Sequence, residues 1–501
     1  MSTIIENPLI TKHQALIKRL QKLFIAGQWQ DSAGEELIPV YDPSNGQVIS
    51  QLASANEIDV NKAVNSAREC FVSPVWAKMK PTERQRLLLR LADLIELHAD
   101  ELAELESIDN GKPVAAARQA DLNGSIEFVR YMAGWATKIS GETLDVSVPR
   151  LKEGEFFAYT KPQPVGVVAA IVPWNFPLMM ALWKVAPALA TGCTVVLKPA
   201  EQSSLTALRL GELVAEAGYP PGVLNVITGY GRTAGNTLIH HPDIDKITFT
   251  GSVPTGKLIG RAAVDGMKRF TLELGGKSPM IVMPDISVEQ AVQGAAMGIF
   301  YNQGQVCTAA SRLYVHRSLY DDVVKGIAEF AANMSIGPGF DVNTQLGPLI
   351  SEEQAEKVCE YVRLGQSEGA DLITGGQRLD RPGYYVSPAV LANANNQMRV
   401  VQEEIFGPVL TVMPFDSTDE VIELANGTEY GLAASVWTNN LIAAHQITES
   451  VKAGISWVNC HNVLDPNLPF GGVGFSGIGR ELGSASVNAY LEPRSVMMRL
   501  A

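Results

Sequence analysis

The chain has 501 residues, of which 46% are apolar and 19% charged, with a net charge of −13. That is room for about three domains with real cores, in the composition of an ordinary globular enzyme. The negative charge argues against nucleic acid or an anionic membrane surface as a partner, because either needs a basic face. Five cysteines (Cys70, Cys193, Cys307, Cys359, Cys460) form no CxxC pair and no zinc-ligand spacing with the seven histidines. This speaks against a disulfide framework or a metal site, and for a reducing, cytoplasmic setting.

Met1–Gln30 has no apolar leader region and carries Glu6 early, so no signal peptide is expected. Residues 23–53 predict short strands joined by turns at Ala26-Gly27 and Pro43–Gly46. Asn56 reads as the N-cap of a helix with Ile58, Val60, Ala63, Val64, Ala67 and Phe71 on its apolar positions. One long helix is expected from Pro81 to Asn110-Gly111, with His98 on its apolar side as a satisfied core or boundary histidine rather than a ligand, and another over Val114–Thr137. Gly141–Lys161 reads as a β-hairpin with a polar turn at Lys152–Glu155, and Tyr490–Leu500 as a strand without a local partner. These two strand regions can pair with each other, add to a neighbouring subunit, or cover an edge of the chain's own sheet.

From Val165 the pattern alternates strand and helix. Strands are expected at Val165–Pro173, Cys193–Leu197, Val223–Thr228, Ile247–Thr250 and Phe270–Leu274, with helices at Leu178–Ala190 and Ser204–Glu216. Val165–Pro187 is the most apolar stretch, but Pro173, Asn175, Pro177 and Lys184 interrupt it too often for a membrane span. Near-continuous apolar strands separated by helices predict a parallel sheet covered on both faces, which binds ligands at the carboxyl ends of its strands. The second half repeats the alternation, with strands at Pro279–Met283, Leu313–His316 and Val409–Pro414 and helices at Leu319–Ala332, Glu352–Ser367 and Thr418–Ala425.

The strand ends carry the chemistry. Glycine-rich turns at Gly229–Gly235 and Gly251–Gly256 open helices and suit phosphate, although neither is a strict GxGxxG and each glycine can instead serve close packing. Lys198 and Glu201 follow another strand; a carboxylate there accepts from ribose hydroxyls and repels a 2′-phosphate, which favours NAD over NADP. Glu273 sits between Leu272 and Leu274, costly unless paired or used, and suited to a general base if its pKa rises. Cys307 lies in Phe300–Arg312, a run of small and amide residues; by itself a lone cysteine is more often a small buried hydrophobe than a nucleophile.

Taken in order, Pro173–Pro177, Lys198–Glu201, Phe249–Ser252, Leu272–Lys277, Gln303–Cys307, Glu403–Pro408, Pro469–Gly472 and Ser476-Gly477 resemble the NAD(P)-dependent aldehyde dehydrogenase superfamily over almost the whole chain. The resemblance implies two Rossmann-like open parallel-sheet α/β domains with a small β oligomerisation arm. The NAD-binding domain would comprise 1–136 and 161–270, with 471–486 returning to it. The catalytic domain would be 271–470, and the arms 137–160 and 487–501. It implies Cys307 as nucleophile, Asn175 as oxyanion donor and Glu273 as the base that hydrolyses the thioester to a free acid. Trp174, Lys198, Glu201, Gly231, Gly251, Ser252, Gly256, Glu404 and Phe406 would hold NAD, and no metal is implied. The arms imply a homo-oligomer of the tetrameric branch.

The resemblance places Phe176, Met180, Trp183, Tyr301, His461 and Phe470 along the substrate channel, with the rest of Cys460–Leu464 beside them. That lining is apolar and aromatic and suits a hydrophobic aldehyde. Asn459–Gly472 is similar to the bacterial phenylacetaldehyde dehydrogenases, which implies phenylacetaldehyde as substrate. A broad aliphatic or benzylic specificity is the second reading and betaine aldehyde, which needs an aromatic cage, the third. A binding or structural role with the chemistry lost is disfavoured because Cys307, Glu273 and Asn175 are all present.

Overall fold

The computed structural model describes residues 6–149 and 154–500. Part of the expected turn at 152–155, and the first five residues, lie outside them.

Five parallel strands form the centre of an eight-stranded sheet, in the order Arg269–Glu273, Lys246–Thr250, Val167–Ile171, Thr194–Lys198 and Leu224–Val226. Lys246–Thr250, Val167–Ile171 and Thr194–Lys198 are buried at almost every position, as strands covered on both faces must be. The edges differ from the expected all-parallel sheet. Gly477–Ile478 on one side, and Leu23–Ile25 with Gln28–Gln30 on the other, run antiparallel. The reason for the hairpin is local: Ala26 and Gly27 both have positive φ, and a two-residue turn of that kind returns the chain antiparallel.

The second sheet has seven strands, in the order Asp371–Thr374, Ala389–Ala392, Val409–Phe415, Arg312–His316, Pro279–Val282, Ala433–Trp437 and Ile455–Val458; only the first is antiparallel to its neighbour. One continuous apolar core holds residues of both sheets, such as Val168 and Val195 of the first and Met280 and Leu313 of the second. The two unplaced strand regions pair with each other: Leu491–Arg499 lies antiparallel to Phe156–Pro164, whose other edge takes Thr143–Leu144.

The helices hold two further corrections. The stretch from Pro81 is two helices, Pro81–Leu97 and Ala99–Asn110, broken at His98 (φ −100°, ψ 16°). The apolar spacing continues across the break, so periodicity alone reads it as one helix. His98 is a boundary residue facing Arg209 and Glu101, as expected. The next helix is interrupted by a π-turn over Ala117–Leu122, which carries the buried Asp121. Two short helices, Pro8–Lys12 and Gln14–Arg19, were not foreshadowed by any long apolar period. Among the described residues no helix is long and apolar enough to cross a membrane.

Candidate active site

A cavity of about 900 Å³ opens where loops from the carboxyl ends of three parallel strands meet segments of the second half of the chain. Pro173–Phe176, Thr250–Ser252 and Glu273–Gly275 come from the first sheet; Cys307, Thr308, Glu404, Phe406 and His461 face them. The three residues with expected catalytic roles, Cys307, Glu273 and Asn175, therefore share one cavity.

Cys307 is held by an unusual loop. Helix Val288–Phe300 ends, and Asn302, Gln303 and Gly304 then adopt φ of 46°, 58° and 69°. Asparagine tolerates the left-handed region and glycine prefers it, but glutamine there costs about 1–3 kcal/mol and persists only when neighbours over-determine it. They do. The Asn302 amide donates to the Asn175 carbonyl (3.1 Å) and the Gln305 carbonyl (3.3 Å), and Gln305 Oε1 accepts from Ile350 N–H (3.0 Å). Gly304 passes so close to the Gly407 carbonyl that a Cβ would lie 2.2 Å from its oxygen. Burial, then the nearby carboxyls of Glu404 and Glu273, push the Cys307 thiol up to about 12, so the resting group is a neutral thiol.

Asn175 is buried, and its Nδ2 donates to the Gln305 carbonyl at 2.9 Å. That bond uses one of two amide protons and fixes the amide plane. Glu273 ends its strand with neither carboxylate oxygen hydrogen-bonded. Its side chain lies against Gly471, where a Cβ would come within 2.5 Å of Oε1. Burial first, and the Glu481 carboxylate second, hold its pKa well above the carboxylate range.

Glu481 and its partner were not anticipated. Lys184 Nζ donates to Glu481 Oε1 (2.5 Å) and Thr250 Oγ1 (2.7 Å), and Lys184 is fully buried. A lysine inside the apolar helix Pro177–Thr191 was a visible signal of a buried ion pair. Its partner, 297 positions away, was not visible. Gln354 and Lys357 were also missed. Both line the cavity, and the Gln354 amide donates to the Ile405 and Phe406 carbonyls (3.0 and 2.8 Å), holding Phe406 at φ 60°.

The residues expected to hold a dinucleotide divide into two groups. Trp174, Gly251, Ser252, Glu404 and Phe406 line the cavity, and the Trp174 and Phe406 rings meet edge to face at 5.2 Å. Lys198, Glu201 and Gly231 form a separate cluster: Glu201 Oε1 accepts from Gly231 N–H (2.7 Å) and faces Lys198 Nζ (3.4 Å). Gly256 stands apart, since a Cβ there would meet Leu274 at 2.6 Å; its place is set by helix-on-strand packing. The site has features that fit a dinucleotide. Ser252 caps the helix Val253–Asp265 at the cavity edge, a place for an anion. Glu404 is half-buried; its carboxyl is pushed up to about 7 by desolvation, its Oε1 accepts from Gly276 N–H (3.0 Å), and it lies in a cradle a Cβ on Gly275 would fill.

All six expected channel residues line the cavity. Phe176 stacks on Tyr301 (6.1 Å between centroids), and Trp183 meets Phe470 edge to face (5.2 Å). His461 does more than line. Burial lowers its pKa to about 4, so the ring is neutral. Nε2 lies 2.8 Å from the Thr308 carbonyl and therefore carries the proton, leaving Nδ1 to accept from Ser435 Oγ (2.9 Å). It ties the loop to the residue beside Cys307.

The aldehyde dehydrogenase family model matches residues 29–496. The chain is 48% identical over 479 residues to a phenylacetaldehyde dehydrogenase of Pseudomonas fluorescens, covering 95% of each. It is 46% identical over 481 residues to retinal dehydrogenase 2 of Mus musculus, covering 96% of this chain and 92% of that one. The solved NAD+ complex of an aldehyde dehydrogenase from Bacillus cereus is 46% identical and matches 100% of both chains with a TM-score of 0.95. With these likenesses over nearly its full length, and the site they share a fold with described above, the chain belongs to the aldehyde dehydrogenase family of oxidoreductases.

Proposed function

We propose that this chain oxidises a hydrophobic arylalkyl aldehyde, phenylacetaldehyde in the first place, to the free carboxylic acid with NAD. The observation that carries this reading is the meeting of Cys307, Glu273 and Asn175 in one cavity walled by Phe176, Trp183, Tyr301 and Phe470.

The Cys307 thiol first releases its proton to solvent; the thiolate then adds to the carbonyl carbon, the C=O π bond breaks, and the oxygen becomes an anion. The free N–H of Asn175 donates to that anion together with the Cys307 backbone N–H; one such donor contributes about 3–4 kcal/mol. Bound NAD supplies the hydride acceptor that converts the adduct into a thioester. Glu273 then takes a proton from water as the water oxygen attacks the thioester carbon, the C–S bond breaks, and the acid leaves. Burial first, and the Glu481 carboxylate second, make Glu273 a strong base. Glu404, Phe406 and Trp174 would hold the nicotinamide side of the cofactor, Gly251 and Ser252 the pyrophosphate, and Lys198, Glu201 and Gly231 the adenosine ribose. Gly256 serves through packing.

In this reading residues 1–136 and 161–270, with 471–486, form the NAD-holding unit and 271–470 the catalytic one. The arm sheet exposes Phe157, Met497 and Met498, which supports assembly into a homotetramer, and the free cysteines suit the cytoplasm.

The relative that acts on phenylacetaldehyde and the aromatic wall support the substrate. Among the described lining residues the cations are Lys357, on the Glu404 side, and no arginine, which leaves little to recognise an anionic aldehyde. The test is kcat/KM for phenylacetaldehyde, benzaldehyde, hexanal and betaine aldehyde with NAD and NADP. Phenylacetaldehyde with NAD should lead. Betaine aldehyde in first place would mean that the aromatic pairs act as a cation cage instead.

A further inference from the structure

We infer that the buried turn Asn110–Lys112 is the device that positions Asn175, gripping the residue on either side of it. This rests on the reading of Asn175 as the oxyanion donor.

Asn175 lies in an irregular segment between the strand Val167–Ile171 and the helix Pro177–Thr191. Phe176 stands at the helix N-cap with no side-chain capping bond, so nothing local fixes the segment. Gln305 and Asn302 bond Asn175 itself, and the residues on either side of it are held from the turn. Asn110 Nδ2 donates to the Trp174 carbonyl at 2.7 Å, and Ser203 Oγ supports the same oxygen at 3.1 Å. On the other side, Lys112 Nζ stands 4.4 Å from the centre of the Phe176 ring, which stacks on Tyr301. An ammonium over a ring face is attractive, so Phe176 is held by both a cation and an aromatic ring. The two grips are one unit: Lys112 N–H donates to Asn110 Oδ1 (3.3 Å), and Gly111 between them has φ 89° and no room for a Cβ, which would lie 2.8 Å from Pro348 Cγ.

The Lys112 ammonium is itself held in place. Its Nζ donates to Glu106 Oε1 (2.9 Å) and Asp121 Oδ1 (3.0 Å), and all three side chains are buried. Glu106 lies on the helix before the turn and Asp121 on the π-turn after it. Burying three ionisable groups is a poor way to stabilise a fold, because apolar residues of the same volume often do as well or better. It is a good way to hold one ammonium at a set point above a ring. Neither Asn110 nor Lys112 lines the cavity, so both are positioning residues that act through Asn175.

Two variants test this. Asn110→Ala removes the grip on Trp174. The combined Glu106→Gln, Lys112→Met, Asp121→Asn variant removes the cation without leaving a lone buried charge. Each should lower kcat/KM for phenylacetaldehyde and for hexanal ~10- to 100-fold, the scale of a misplaced catalytic group. The rate of Cys307 alkylation by iodoacetamide, which needs no oxyanion donor, should stay within about two-fold. In an Asn175→Ala background the same changes should alter kcat/KM by less than about two-fold, because the group they position is gone. Equal losses in both backgrounds, or a parallel fall in alkylation, would show general structural damage and overturn the positioning role. If Asn175→Ala alone leaves kcat/KM intact, the oxyanion reading beneath it falls and takes this inference with it. If the triple variant does not fold, Asn110→Ala decides by the same criteria.

Discussion

Two polar clusters stand at the carboxyl ends of the same sheet and are built in opposite ways. At the end of Thr194–Lys198, Glu201 is met by Gly231 N–H and by Lys198. At the end of Arg269–Glu273, Glu273 is buried with both oxygens unpartnered and another carboxylate nearby. The first cluster is a satisfied surface that a ligand can join. The second holds a group in a state that costs stability, which is what the proposed base role requires. The left-handed backbone before Cys307 belongs to the same costly region.

The largest effect that would break this contrast is at the proposed nucleophile. Cys307→Ala should lower aldehyde-dependent NADH formation by about 10⁴-fold or more, while NAD still binds in a fluorescence titration. Turnover near that of the unmodified chain would remove the chemistry from this cavity.

Next is Glu273→Gln, expected to cost ~10²- to 10⁴-fold in steady-state rate while a stopped-flow burst of NADH survives. The base must be ionised to act, and its pKa is raised, so turnover should climb as pH rises through that raised value. The Gln variant should lose this climb. A variant with an unchanged steady-state rate would refute the base.

Glu201→Ser should shift the NAD-to-NADP ratio of kcat/KM by about ten-fold toward NADP, because in the proposed role its carboxylate would repel a 2′-phosphate. An unmoved ratio would separate the Glu201 cluster from the ribose.

The smallest and sharpest comparison is in stability. A carboxyl whose folded pKa is raised above its unfolded value contributes stability below the unfolded pKa and loses it as pH rises through the folded one. Glu273→Gln should therefore raise Tm at pH 9 by about 2 °C or more, and do less at pH 5. Glu201→Ser should lower Tm, since the buried Lys198 loses its carboxylate. If differential scanning calorimetry gives the same sign for both, the two clusters are not opposites.

Much of this was readable in the residues because it depends on neighbours in the chain. The apolar run Val167–Ile171, the cap at Asn56 and the turn at Ala26-Gly27 obey local rules. Through the resemblance they carry, several of the ordered motifs, such as Pro173–Phe176, Gly251-Ser252, Glu273–Gly275 and Val306-Cys307, marked cavity walls. The break at His98 was hidden because the apolar spacing does not change there, and Gln303 showed no sign of its positive φ because glutamine has no preference for it. The glycines misled differently: Gly251 and Gly256 look alike in the turn, yet Gly251 lines the cavity and Gly256 packs on Leu274.

By itself the sequence determined the alternation of strands and helices, which follows from residue type and short spacing, while its ordered motifs carried the resemblance to the family and, through it, the expected roles of Cys307, Glu273 and Asn175. Only the tertiary structure decided what surrounds them: that Glu273 has no hydrogen-bond partner, that Lys184 finds Glu481, and that Lys112 lies over Phe176. Desolvation and Coulomb attraction depend on distance through space, and no rule of neighbours along the chain contains that distance.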